Sequence, residues 1–177
     1  HDWTKQKTQD KKIYIENAGL AIIWLYLPSL FKKLNLVDAK GFVSEEARER
    51  AVLLLQYIVT GEEEAPEYLL MLNKIMCGMM ILQPVRQNVQ LSDEEKEEAI
   101  VLIKSVVKNW PILGNTSVEG FRNTFLKREG TLFLKEGNWN LKVESKTLDI
   151  LMRKMPWGIG TIKLSWNKYI IFVEWNY

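Results

Sequence analysis

The side chains that most often carry out catalysis are scarce in this chain. Among its 177 residues, His1 is the only histidine and Cys77 is the only cysteine. One histidine at a chain terminus excludes most mechanisms that use a Ser-His-Asp or Cys-His arrangement, or histidine as a general acid or base. It also excludes zinc sites built on histidine, and one cysteine cannot form a thiolate cluster. We therefore expect no catalytic residue, no metal and no cofactor, and a protein that is not an enzyme.

Carboxylates are the remaining source of catalytic chemistry. The two acidic runs, residues 62–64 and 93–98, lie in a turn or at a predicted helix start. Acidic side chains are stabilised there by the helix dipole, so solvated helix ends are the favoured interpretation. A carboxylate-dependent hydrolase would need two carboxyl groups facing each other across a cleft, and it stays as an alternative.

Cys77 lies in a methionine-rich segment with Met76, Met79 and Met80. This context predicts a buried thiol that packs as a small apolar side chain. A reactive thiol would need a cationic neighbour, and Lys74 is three residues away in the sequence. A lone cysteine is compatible with a reducing compartment.

Composition argues against two classes of partner. The 24 basic and 22 acidic residues give a net charge of only +2, without the basic bias of a nucleic-acid binder. The longest apolar run, residues 18–27, ends at Pro28 and is too short to cross a bilayer, which takes about 20 residues. We expect neither nucleic-acid binding nor membrane insertion.

Helical spacing of apolar residues dominates the first 130 positions. One helix is predicted over residues 17–34, with a kink or break at Pro28. Ser92 has a glutamate three residues later and Thr116 has one as well, which predicts two capping boxes. The remaining helix boundaries follow from cap residues and from proline. Helices are expected to begin at Ser44, Pro66, Ser92 and Thr116, with ends at Gly61 and Gly130 for the first and last of them.

After Gly130 the apolar residues alternate instead. A β-hairpin is predicted around Glu136-Gly137-Asn138. A short helix is expected over residues 147–154, and two more strands over 159–166 and 169–175. The predicted fold class is α+β, with about five helices followed by a small antiparallel β-sheet at the C-terminal end. Residues 1–12 are interpreted as a linker from a longer protein and 13–177 as a single domain, helical over 13–130 and β-rich over 131–177.

Aromatic residues are concentrated near the C-terminal end. Trp139, Trp157, Trp166 and Trp175 all lie within the last 39 residues. One interpretation is a small sheet that packs its aromatic residues on the helices. The other is a docking face, because tryptophan and tyrosine often anchor protein interfaces.

Several segments together resemble the contractile injection system tape-measure protein family, over residues of about 13–175. The matching segments are 13–20 (IYIENAGL), 46–51 (EARERA), 54–57 (LLQY), 60–61 (TG), 72–74 (LNK), 77–78 (CG), 110–111 (WP), 113–122 (LGNTSVEGFR), 125–126 (FL), 128–130 (REG), 156–158 (PWG) and 162–164 (IKL). One departure is Ser165, at a position where we would expect proline before Trp166.

The resemblance implies a non-catalytic structural domain. Tape-measure proteins set the length of the inner tube of a phage-tail-like particle with a long helical ruler, which is absent here, so these residues would be the C-terminal anchoring part. The implied partners are baseplate, spike-hub and tube proteins, and self-association stays open. The implied location is the bacterial cytoplasm during assembly and the particle afterwards. The alternative is a transient assembly chaperone or adaptor for such a particle.

The candidate interface residues come from the matching segments and from the aromatic tail. Three are polar residues on predicted helices and three belong to the C-terminal segment: Asn73, Lys74, Arg122, Trp157, Lys163 and Trp166.

Overall fold

The computed structural model describes residues 11–86 and 88–177. In these ranges the first half of the chain is helical, as predicted, but only two of its helices are long. The α-helices are α1 (Leu27–Lys33), α2 (Glu45–Thr60), α3 (Met71–Met76), α4 (Asp93–Lys108) and α5 (Val118–Phe121). Within the described ranges, no helix combines the length and the apolar character needed to cross a membrane.

The two long helices begin where their cap residues predict, and α2 also ends where Gly61 predicts. The Ser44 hydroxyl accepts a hydrogen bond from the backbone N–H of Ala47 at 3.0 Å, and Gly61 ends α2 in the left-handed conformation with φ of 77°. At the start of α4, Ser92 and Glu95 form the predicted capping box.

The other helices differ from their predictions. Residues Ala18–Tyr26 form a 3-10 helix, and α1 follows with Pro28 in its first turn. The predicted cap at Thr116 is wrong by one residue, because Ser117 accepts the hydrogen bond from Gly120 N–H while the Thr116 hydroxyl donates to the Leu113 carbonyl. After α5 the chain widens into a π-helix, Arg122–Leu126, and does not continue as a helix to Gly130. Further 3-10 helices span Glu67–Leu69, Pro111–Leu113 and Thr147–Lys154.

The main sheet is where the predicted fold class is wrong. The strands are β1 (Ile13–Ile15), β2 (Val37–Asp38), β3 (Gly41–Phe42), β4 (Gly130–Lys135), β5 (Asn138–Val143), β6 (Thr161–Ile162) and β7 (Ile171–Glu174). Five of them form one mixed sheet in the order β1-β4-β5-β7-β6, and β2 pairs with β3 separately. The expectation of a small antiparallel sheet after the helices missed β1 at one edge and the parallel pairing of β5 with β7.

Each part of this error has a physical reason. A strand of three residues is too short for its alternation to be distinguished from the helical pattern that follows it. The parallel pair arises because the chain between β5 and β7 crosses over through the 3-10 helix Thr147–Lys154, whereas a short turn would return antiparallel. The hairpin itself is confirmed: β4 pairs with β5 through Glu136 and Gly137, which both have the positive φ of a type I′ turn.

One face of the sheet packs against the helices. Alternate residues of its strands, including Ile15, Leu132, Leu141 and Ile171, are buried in the core. The 3-10 helix Ala18–Tyr26 packs closely against the π-helix Arg122–Leu126 at Gly19. A Cβ atom there would overlap the backbone of Phe125 and Leu126 in the π-helix.

A buried ion pair joins the last segments of the chain. Arg128 and Asp149 are each only 1% exposed, and the guanidinium group donates two hydrogen bonds to the carboxylate, at 2.6 and 2.8 Å. The indole N–H of Trp175 and the backbone N–H of Lys146 donate to the same carboxylate. Arg128 also donates to the Thr124 carbonyl in the π-helix. This clasp, as we call the Arg128–Asp149–Trp175 cluster, connects the π-helix, the crossover and the end of β7.

Replacing Gly19 with alanine tests the close approach. Because the methyl group would meet backbone atoms that cannot rotate away, we expect Gly19→Ala to lower the free energy of unfolding by about 3 kcal/mol or more. Chemical denaturation measures this change. Gly158→Ala is the matched control, since a Cβ atom at Gly158 meets nothing within 4 Å. Equal stability of the two variants would contradict the packing described here.

Removing the charge of Asp149 tests the clasp. Because Asp149→Asn leaves the buried guanidinium group of Arg128 without a counter-ion, we expect a loss of about 3–5 kcal/mol in unfolding free energy at neutral pH. The control is Asp38→Asn, at an exposed aspartate that ends β2. Urea denaturation of both variants measures the difference, and a loss no larger than that of the control would contradict the role of the clasp.

The same pair predicts a pH dependence. Burial by itself raises the pKa of Asp149, but hydrogen bonds from Arg128, Trp175 and the Lys146 backbone outweigh it, so its pKa lies below the ordinary value. The stabilisation is therefore complete above the unfolded pKa of about 4 and is lost as the pH falls through the lower folded pKa. The stability difference between wild type and Asp149→Asn should shrink below about pH 4. A difference that stays constant in acid would contradict this.

Candidate interaction surface

Asn73 is an interior residue in the folded chain. It is fully buried on α3, where its side-chain amide donates to the Val52 carbonyl at 3.0 Å and to Gln56 Oε1 at 3.2 Å. Its Oδ1 accepts a hydrogen bond from Asn17 Nδ2 at 2.6 Å. The three amides, Asn17, Gln56 and Asn73, join the second residue after β1 to α2 and α3.

Lys74 and Arg122 are also buried and have internal partners. Lys74 Nζ lies 2.7 Å from a carboxylate oxygen of Glu67. Arg122 is 4% exposed, and its Nε and Nη2 donate to the carbonyls of Ile58 and Tyr57 at 2.9 and 3.1 Å. These carbonyls are in the last turn of α2, where helix carbonyls have no partner within the helix, so Arg122 caps α2 from another element.

Of the three candidates from the C-terminal segment, the two tryptophans are partly buried and the lysine is exposed. Trp157 and Trp166 are half-buried, and their indole N–H groups donate to the carbonyls of Ile22 and Met76, both at 2.8 Å. Trp166 also packs against Phe31. Lys163, just after β6, is exposed. Of the six predicted interface residues, Lys163 is thus the only one whose side chain is mainly on the surface of the isolated chain.

The outward face of the main sheet is a surface that the sequence analysis missed. Tyr14 is 76% exposed and Phe172 is 41% exposed, and Phe133 is partly exposed on the same face. We call this surface the open sheet face. In register, Phe133 lies opposite Asn140 and Asn140 lies beside Phe172, so two aromatic rings flank one amide.

A shallow hollow of about 110 Å³ lies on the open sheet face. Phe133 and Phe172 form part of its wall, and Lys142 and Glu174, which are neighbours in register, add one charge of each sign. In the sequence, the only signal for this face is that successive side chains of β1, β4 and β7 point to opposite faces of the sheet. Apolar residues occupy neighbouring positions in these strands, so the sequence does not show which face the helices cover.

Acidic side chains of both runs, 62–64 and 93–98, pair with basic side chains. Glu95 is buried and accepts a hydrogen bond from Arg50 Nε at 3.1 Å, and Glu98 lies 2.9 Å from Lys33. Glu63 forms an ion pair with Lys96. Over residues 11–86 and 88–177, no group of three histidine, cysteine, aspartate or glutamate side chains has the spacing of a metal site.

Comparison with known families identifies the class of protein. The family model described as contractile injection system tape measure protein matches residues 2–175. The chain belongs to this family. This confirms the resemblance seen in the sequence and makes the chain a structural component related to the tape measure of a contractile injection system. Searches among curated proteins and among solved structures found no match.

Cys77 of this tape-measure domain is buried, as predicted. Burial raises the pKa of its thiol far above the ordinary value, and the charge of nearby Arg48 offsets this only in part. Because the thiolate is the reactive form, we expect no labelling by a thiol reagent such as DTNB in the native state and one labelled group per chain in denaturant. Rapid labelling of the native protein would contradict this.

Proposed function

We propose that this domain acts without catalysis, as an anchoring part of a contractile injection particle that docks on baseplate, spike-hub or tube proteins. The family supports a structural role in such a particle. Assembly would take place in the bacterial cytoplasm, and the domain would then remain in the particle.

The choice of the open sheet face as the docking surface rests on one observation. The open sheet face presents Tyr14, Phe133 and Phe172 beside polar groups, while the tryptophans at 157 and 166 donate their hydrogen bonds inside the fold. Exposed aromatic residues are enriched among the anchors of protein interfaces, because they bury a large area at little cost in side-chain entropy. Lys163 follows the edge strand β6 and would add a basic group at the border of this interface.

Removing the aromatic side chains from this face is the test. We expect the double variant Tyr14→Ser, Phe172→Ser to lose at least about tenfold in affinity for the particle component that the wild-type domain captures. A pull-down against each purified baseplate, spike and tube protein identifies that component, and titration gives the affinity. Tyr68→Ser is the matched control, because Tyr68 is 65% exposed outside this face.

Two outcomes would count against the proposal. Capture of the same component with unchanged affinity by the double variant would show that the open sheet face is not the interface. Mass spectrometry of purified particles that found no trace of the domain would favour the alternative, a chaperone or adaptor that leaves before maturation.

A further inference from the structure

The two ends of the open sheet face carry charges of opposite sign. Side chains alternate along a strand, so those that share this face on β4 and just before it are Glu129, Thr131, Phe133 and Lys135. Glu129 continues the ladder beyond β4, because its carbonyl accepts a hydrogen bond from the backbone N–H of Glu144 at 3.0 Å. Glu129 and Lys135 are exposed and about 20 Å of strand apart, so their charges do not pair within one chain.

The neighbouring strand β5 follows the same polarity. The exposed Glu144 lies beside the acidic end of β4, and Asn138 lies beside its basic end. Lys142 and Glu174 are neighbours in register and balance each other. The face as a whole is therefore acidic where β4 begins and basic where β4 ends.

A second copy of this chain is complementary to such a face when its strands run in the opposite direction. A two-fold axis across the strands, at the level of the register pair Leu132 and Leu141, places Lys135 of the second copy over Glu129. The same rotation places Glu129 of the second copy over Lys135. An axis parallel to the strands would bring the acidic ends together, which is unfavourable.

The side chains of β5 are complementary under the same axis. Asn138 lies opposite Glu144 of the second copy, and its amide N–H is a donor for that carboxylate. Asn140 lies opposite Lys142 of the second copy, and its side-chain oxygen is an acceptor for that ammonium group. No residue of β5 on this face meets a charge of its own sign.

The hollow on the face receives one of these side chains. Asn140 lies between Phe133 and Phe172, and all three residues line the hollow of about 110 Å³. The methylene stem of Lys142 from the second copy would pack between the two rings, which would also attract its ammonium group. Both hollows are filled in this way, because a two-fold axis repeats every contact.

We propose that the free domain forms a symmetric dimer through the open sheet face, with antiparallel strands and two Glu129–Lys135 ion pairs. The dimer covers aromatic side chains that are exposed in the isolated chain. A face that holds a second copy is closed to a particle subunit, so the dimer is the state of the domain before docking and separates on docking. The dimer is a property of the chain alone and does not require that the proposed docking on a particle occurs.

Charge reversal tests the dimer, with the mass of the purified chain measured by analytical ultracentrifugation. At about 1 mM the wild type should approach twice its monomer mass of 20.7 kDa, and it should return to a monomer on dilution. Glu129→Lys or Lys135→Glu brings like charges together at two symmetric positions, so each should associate at least about tenfold more weakly. Lys104→Glu, at an exposed lysine of α4, is the matched control and should associate like the wild type.

A mixture of the two single variants tests the two-fold geometry. In a heterodimer of Glu129→Lys with Lys135→Glu, opposite charges meet at both positions, so association should recover to the wild-type strength. The double variant Glu129→Lys, Lys135→Glu should recover as well. Thermal unfolding of each variant checks that the fold is kept, as expected for exposed side chains.

Three outcomes would overturn the proposal. They are a wild type that stays monomeric at about 1 mM, single variants that associate as strongly as the control, and a mixture that does not recover association. No particle component is present in these measurements. The dimer and the proposed docking therefore fail by separate results.

Discussion

The buried pairing of Arg128 with Asp149 is the constraint on which the rest of this structure depends. Two opposite charges that are each 1% exposed are tolerable only if every lone pair and N–H is matched, and the surrounding chain supplies nearly all of these partners. The Trp175 indole and the Lys146 backbone N–H donate hydrogen bonds to the Asp149 carboxylate. The carbonyls of Thr124 and Glu144 accept hydrogen bonds from the terminal nitrogens of Arg128. The clasp thereby determines where β7 lies, since Trp175 follows that strand directly.

Polar residues inside the fold explain several of the segments that identify the family. Asn73 holds α2 and α3 to Asn17, two residues after β1, and Arg122 caps the end of α2. Gly61 is required at that end both for its positive φ and because the Arg122 guanidinium group lies against it. The sequence predicts Asn73 and Arg122 as interface residues, but in the isolated chain they pair with internal backbone and amide groups.

A surface of the sheet stays uncovered once these internal contacts are made. The open sheet face has aromatic residues that the helices do not cover. Arg128 belongs to the clasp through its terminal nitrogens, and it also lines a cleft beside the C-terminal end of α2.

The sequence by itself determined the local features of this protein and its family. The caps at Ser44 and Ser92, the hairpin at Glu136-Gly137 and the buried Cys77 follow from short-range physics, in which a residue acts on neighbours only a few positions away. The pairing of β1 with β4 and of β5 with β7, the face that the helices cover and the pairing of Arg128 with Asp149 were decided only by the tertiary structure. Those contacts join positions 20 to more than 100 residues apart, such as β1 with β4. No spacing rule reaches that far, because each polar or apolar side chain has many equally suitable partners until the whole chain packs.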